Sequence, residues 1–182
     1  MAEWSDHEIL EGINTAGRKE AAFNHLVEKY QERLYWHIRK IVIDHEDTDD
    51  VLQNTFIKIW RSLPEFRSDS RLFTWLYRIA TNEALTFLKQ KKRRTFTPLE
   101  DVEHKLGEEL ESDPYFDGNE IQLKLQQAIL KLPEKQRLVF NMKYFEGLKY
   151  EDMAEILGTS VGALKASYHH AVKKIEAVLG RD

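Results

Sequence analysis

The chain of 182 residues contains no cysteine. Disulfides, thiolate metal sites and thiol nucleophiles are thereby excluded, and the simplest compartment is the cytoplasm. Proline is scarce, with residues only at 64, 98, 114 and 133, and glycine is held to eight. Most of these fall at boundaries, so helical periodicity can run uninterrupted between them. No apolar run approaches the roughly 20 residues of a membrane span, and the N-terminus carries no signal-peptide pattern. Membrane insertion is therefore not expected. There is no glycine-rich nucleotide loop and no H-E-x-x-H pair. His45, Glu46, Asp49 and Asp50 form the only metal-hydrolase candidate, and they lack a second ligand pair. Neither a metal nor a cofactor is expected, and the chain reads as a non-enzyme.

An excess of positive charge is missing too. The net charge is −4, which on its own argues against a nucleic-acid partner. Its distribution argues otherwise. Residues 70–94 hold seven Lys or Arg and one acid, whereas residues 97–120 hold nine acids and one Lys. Segregation of this kind suits a basic module whose access to DNA is restrained until a partner rearranges it.

The N-terminal half reads as consecutive helices. Ser5 to Glu8 has the S-x-x-E form of a capping box. A second helix is predicted from Arg18 to Ile43, with Phe23, Leu26, Val27, Tyr30, Leu34, Ile38 and Ile41 on one face. Asp44 to Asp50 reads as a loop followed by the acidic first turn of a third helix. On that helix Leu52, Phe56, Ile59 and Leu63 form the expected core stripe, leaving Asp50, Gln53, Asn54, Lys58 and Arg61 exposed. A polar loop follows, then a long helix predicted from Ser70 to about Lys92. Helical spacing puts Arg71, Arg78, Asn82 and Lys89 on one face with Trp75 beside them, and Leu72, Leu76, Ile79 and Ala80 on the buried side. Seven aromatics fall between 56 and 87. Most belong in the core, but Phe66, Phe73, Trp75 and Tyr77 are candidates for stacking on unpaired bases beside cationic groups.

The segment 96–118 reads as a solvated acidic spacer. Beyond it Ile121, Leu125, Ala128, Ile129 and Leu132 resume the helical pattern, and Pro133 suits the start of the next helix. Tyr150 to Leu179 then reads as helix, turn and helix. Gly158 supplies the left-handed residue that ends the first, and Ser160 caps the second. Met153, Leu157, Val161, Leu164, Tyr168, Val172, Ile175 and Leu179 form its apolar stripe. The opposite face carries Lys165, Ser167, His169, His170 and Lys173, with no acid before Glu176. That face suits a major groove with phosphates alongside. The expected fold is all-α: two small helical domains, 1–95 and 119–182, joined by an acidic linker.

Two stretches, DTDDVLQNTFIKIWRSLPEFRSDSRLFTWLYRIATNEALTFLKQKKRR and LPEKQRLVFNMKYFEGLKYEDMAEILGTSVGALKASYHHAVKKI, resemble the sigma factors of bacterial RNA polymerase, of the extracytoplasmic-function type. The first is similar to the promoter-melting and core-binding domain, the second to the helix-turn-helix domain that reads the −35 element. The resemblance implies partners: core RNA polymerase through its largest subunit's clamp and its upstream-side flap, promoter DNA, and an inhibitory anti-sigma factor. It also implies roles. Asp50, Gln53, Phe56, Lys58 and Trp60 match the clamp-docking helix. Phe66, Arg67, Ser68, Asp69, Ser70 and Arg71 match the loop that captures a base flipped from the non-template strand at the −10 element, with Phe73, Trp75, Tyr77, Arg78, Asn82 and Lys89 beside the melted strand. Ser160, Lys165, Ala166, Ser167, His169, His170 and Lys173 match the −35 recognition helix. The family often has arginine where this chain has Ser167 and His170, so the −35 preference does not carry over. A helix-turn-helix regulator acting without polymerase is the alternative, and it leaves the residues of 66–94 without a task.

Overall fold

The computed structural model describes residues 2–95 and 118–180, so the expected linker lies outside the described residues apart from Gly118. Every regular element among them is helical. The contacts gather into two compact units, Met1–Phe87 and Leu88–Asp182.

In the first unit, α1 (Asp6–Asn14) starts at the expected capping box. The Ser5 hydroxyl accepts from the Glu8 amide at 3.2 Å, and the Glu8 carboxylate accepts from the Ser5 amide at 2.7 Å. Ile9 and Ile13 are buried against α2 (Lys19–Val42). The two helices meet closely at Gly12, where an added Cβ would come within 2.8 Å of the Ala22 Cβ. Tyr30 clamps the pair by donating to the Asp6 carboxylate at 2.8 Å, with Lys29 3.0 Å from the same group. Burial and this bond push the Tyr30 phenol up from its ordinary range.

Leu26, Tyr30, Leu34, Ile38 and Ile41 are buried as the pattern predicts, with Phe23 and Val27 at its half-buried edge. The expected loop after α2 is almost absent. Ile43 turns the chain with φ 74, and Asp44 already caps α3 (His45–Ser62), accepting from the Asp47 amide at 2.8 Å. Most of the acids read as a loop instead form the first turns of α3, where the helix dipole favours them.

The buried stripe of α3 is rotated from the predicted one. Thr48, Val51, Thr55 and Ile59 face the core, whereas Leu52 and Phe56 are half-buried. The threonines are compatible with burial because each hydroxyl donates to a backbone carbonyl one turn back, Thr48 to Asp44 and Thr55 to Val51. After a short 3-10 turn, Leu63–Glu65, comes α4 (Leu72–Thr95), which begins two residues later than predicted and whose residues from Leu88 onward belong to the second unit. Leu72, Leu76, Tyr77, Ala80 and Ala84 are its buried apolar positions, and Ile79 is only half-buried.

The second unit contains α5 (Glu120–Leu130), α6 (Glu134–Tyr144), α7 (Tyr150–Leu157) and α8 (Val161–Leu179). Asn119 caps α5 through a 3.0 Å bond from the Gln122 amide, and Pro133 sits at the cap of α6. Ile121, expected in the core, is 72% exposed, because the packed surface of α5 begins further along, at Leu125. Ala128, Ile129, Leu132, Phe140, Ala171 and Ile175 form the central cluster, so α8 is the element on which the unit is assembled. On the paired helices, Ile156 and Ala171 are buried beside Met153, Leu164 and Ile175, with Leu157, Val161, Tyr168, Val172 and Leu179 at the margin.

Candidate nucleic-acid interface

Three exposed surfaces result from this packing. The first is a face of α3. Since Val51, Thr55 and Ile59 point inward, Asp50, Gln53, Asn54, Ile57, Trp60 and Arg61 point out. Ile57, 44% exposed, lies among polar neighbours, and no core explains it. Trp60 is braced edge-on by Phe23 at 4.9 Å, and Lys19 Nζ stands over its ring at 4.3 Å. Phe56 is half-buried beneath and also meets Phe23 edge-on. Lys58 leaves the group: its ammonium is 2.6 Å from Glu83, tying α3 to α4. Of the five residues expected here, the structure gathers Asp50, Gln53 and Trp60 on one face, seats Phe56 under it and turns Lys58 aside. Ile57 was missed, although an apolar residue off the predicted stripe was its signal.

The second surface is the loop before α4 and one face of that helix. The loop is anchored at one end by Leu63, which is buried and accepts from the Phe66 amide at 3.1 Å. At the other, Phe66 leans on Trp75 with ring centroids 4.9 Å apart. Between these anchors Arg67, Ser68 and Asp69 are exposed, and Ser68 takes a left-handed φ of 60. Ser70 is half-buried and Arg71 exposed. Trp75 and Arg78, both half-buried, continue the same side of α4 to the exposed Asn82 and Lys89.

Two expected members are not on that side. Phe73 and Tyr77 lie across α4, facing α2. Tyr77 is 2% exposed, packed against His37 at 4.7 Å and Phe73 at 4.5 Å, so it offers no ring face to a base. The Thr81 hydroxyl donates to the Tyr77 carbonyl at 2.6 Å, so the 2.7 Å bond between Thr81 and His37 takes its proton from His37 Nε2. Arg33 closes this seam, its guanidinium 4.8 Å from the Phe73 centroid. Direct base contact by Tyr77 is thus corrected to a structural role, because helical spacing sets it opposite Trp75 and Asn82.

The third surface belongs to α7 and α8. Gly158 adopts φ 64, and its amide bonds to the Ala154 carbonyl at 2.9 Å. The Ser160 hydroxyl accepts from the Ala163 amide at 3.1 Å, starting α8 as predicted. With Leu164, Ala171 and Ile175 inward, Lys165, Ala166, His169, His170 and Lys173 are exposed and Ser167 is half-buried. The two imidazoles are 6.0 Å apart and tilted by 58°. Close by, burial and the neighbouring Tyr168 push the Tyr150 phenol up.

The metal-hydrolase candidate does not assemble. The His45 ring bonds to the Tyr35 hydroxyl through Nδ1 and faces Asp49 at 3.6 Å through Nε2. No three metal-ligating groups converge among the described residues. Nor is any described helix long and apolar enough to cross a membrane.

Comparison with known proteins matches residues 26–94 to Sigma-70 region 2 and residues 122–175 to Sigma-70 region 4. The RNA polymerase sigma-H factor of Pseudomonas aeruginosa is 33% identical over 98% of this chain and 96% of its own. The ECF RNA polymerase sigma-E factor of Haemophilus influenzae is also 33% identical, over 97% of this chain and 96% of its own. Among solved structures, the sigma factor RpoE in complex with the anti-sigma factor NepR, from Bartonella quintana, shares the fold. Its TM-score is 0.66 at 22% identity, covering 88% of this chain and 98% of that one.

Proposed function

Because the chain belongs to the extracytoplasmic-function sigma factors of bacterial RNA polymerase, we propose that its three exposed surfaces divide promoter recognition between them. The α3 face around Ile57 and Trp60 docks on the polymerase clamp. An apolar centre with a polar rim is the usual anatomy of such an interface. The loop 66–71, with Trp75, Arg78, Asn82 and Lys89, receives the melted non-template strand at the −10 element. Its exposed Arg67, Ser68 and Asp69 offer hydrogen bonds to a flipped base, and the Phe66–Trp75 pair offers stacking. Together these offset an unstacking cost of about a few kcal/mol. The exposed face of α8 reads the −35 duplex, with lysines supplying phosphate attraction and His169 and His170 reaching base edges.

Further partners follow from the same reading: the polymerase flap and an anti-sigma factor that occludes one of these faces. The phosphoryl chemistry is the polymerase's, so this chain acts by binding, in the cytoplasm and without a cofactor. Residues 1–95 form the melting module, 96–118 the linker and 119–182 the upstream module.

The observation that carries the assignment is the exposed α3 face beside an acid-poor face of α4, and the face of α8 that has no acid before Glu176. A regulator working without polymerase has no use for the first. Reconstitution with core polymerase tests the division. Gln53→Ala with Ile57→Ala is expected to weaken core binding, Asn82→Ala to impair strand opening, and Lys165→Ala to weaken upstream duplex binding. Equal damage by all three to every step would contradict it.

A further inference from the structure

Tyr150 opens α7, and its ring carries two cations. Lys143 Nζ lies 4.4 Å from the ring centroid and Lys165 Nζ 5.7 Å. Tyr168 of α8 meets the same ring edge-on at 6.5 Å, which fixes its plane relative to α8. The two lysines are not equivalent. Lys143 is half-buried and donates to the Leu148 carbonyl at 3.1 Å, so its ammonium closes the connection between α6 and α7. Lys165 is exposed, on the face of α8 that also presents Ala166, His169 and Lys173. The Tyr150 ring therefore reaches from the first helix of the pair to a solvent-directed cation on the second.

A lysine stem left to itself samples many rotamers, and ordering it on a ligand costs conformational entropy. A ring face within ~6 Å attracts the ammonium through the ring quadrupole without neutralising its charge. The ammonium stays available to an anion while its range of positions narrows. An acid in the same place would hold the lysine more tightly but cancel the charge a phosphate needs.

We propose that Tyr150 is a positioning residue for duplex recognition, acting through Lys165, which it holds in the orientation that meets the upstream promoter element. The inference rests on the assignment of the α8 face to that element. The aromatic face is the working part and the hydroxyl is not, so phenylalanine replaces tyrosine without loss and leucine does not.

The test uses holoenzyme reconstituted with core polymerase and a duplex promoter fragment obtained by in vitro selection with that holoenzyme. Affinity is read by fluorescence anisotropy across a salt series. Tyr150→Phe is expected to bind as the unsubstituted protein does, and Tyr150→Leu to lose about two- to five-fold. Lys165→Ala loses at least as much and lowers the salt slope by about one ion. Adding Tyr150→Leu to Lys165→Ala produces no further loss. If Tyr150→Leu costs as much in the Lys165→Ala background, the ring acts on the fold and not through Lys165, and the proposal is overturned. Equal losses in Tyr150→Phe and Tyr150→Leu overturn it as well. If Lys165→Ala alone binds normally with an unchanged salt slope, the assignment of Lys165 to the duplex is wrong and the proposal goes with it.

Discussion

Gly158 holds a left-handed φ of 64 with nothing near the position a Cβ would occupy. Gly158→Ala therefore costs backbone strain alone, about 1–2 kcal/mol. Ser160→Ala, which removes the cap of α8, costs about 1 kcal/mol. Thermal unfolding of both variants checks these values. At the other end of the chain, Glu8 is held below the ordinary carboxylate range by the Ser5 amide and hydroxyl. A depressed carboxylate contributes stability above its unfolded value and loses it as pH falls through the folded one. The stability gap between the unsubstituted protein and Glu8→Gln is thus largest near neutrality and closes on acidification, as unfolding curves over pH would register. These caps were legible in the sequence because each depends on neighbours within four residues. Tyr77 was not: tyrosine beside basic residues reads equally well as a base platform or as core. Only the partner helix, with His37 and Arg33 against it, decides for core.

At the scale of elements, helix existence and order were readable among the described residues, whereas rotation about the helix axis was not always so. On α3 the true stripe contains Thr48 and Thr55, whose side chains count as polar in any hydrophobic pattern. Their hydroxyls are satisfied within the helix, so burial costs little and the stripe moves onto them. That rotation is what exposes Ile57. Ile57→Ala is expected to weaken polymerase binding at least several-fold while leaving the melting temperature within a degree or two, since the side chain is not in the core. Phe56→Ala, half-buried against Phe23, lowers both. Binding and unfolding measured side by side separate the two. On α4, Asn82 lies with Trp75 on the side opposite Tyr77. Asn82→Ala is expected to reduce permanganate reactivity of the melted region more than it reduces closed-complex formation. Unchanged reactivity would remove Asn82 from the melted-strand surface.

For the molecule as a whole, the order of segments carried more information than the net charge. A total of −4 conceals a basic, acid-poor α4 and an acid-free recognition face on α8. Their matches to Sigma-70 regions 2 and 4 fall in that sequence along the chain. Two recognition surfaces on separate units predict that promoter use depends on both elements and on a polymerase that engages them together. The most direct measurement is transcription by holoenzyme reconstituted with this chain, on a promoter selected in vitro and on templates with its −10 or −35 element scrambled. The account predicts transcripts from the intact promoter and a loss of at least ten-fold when either element is scrambled. Core polymerase with this chain producing no promoter-dependent transcript, or the same yield from all three templates, would contradict it.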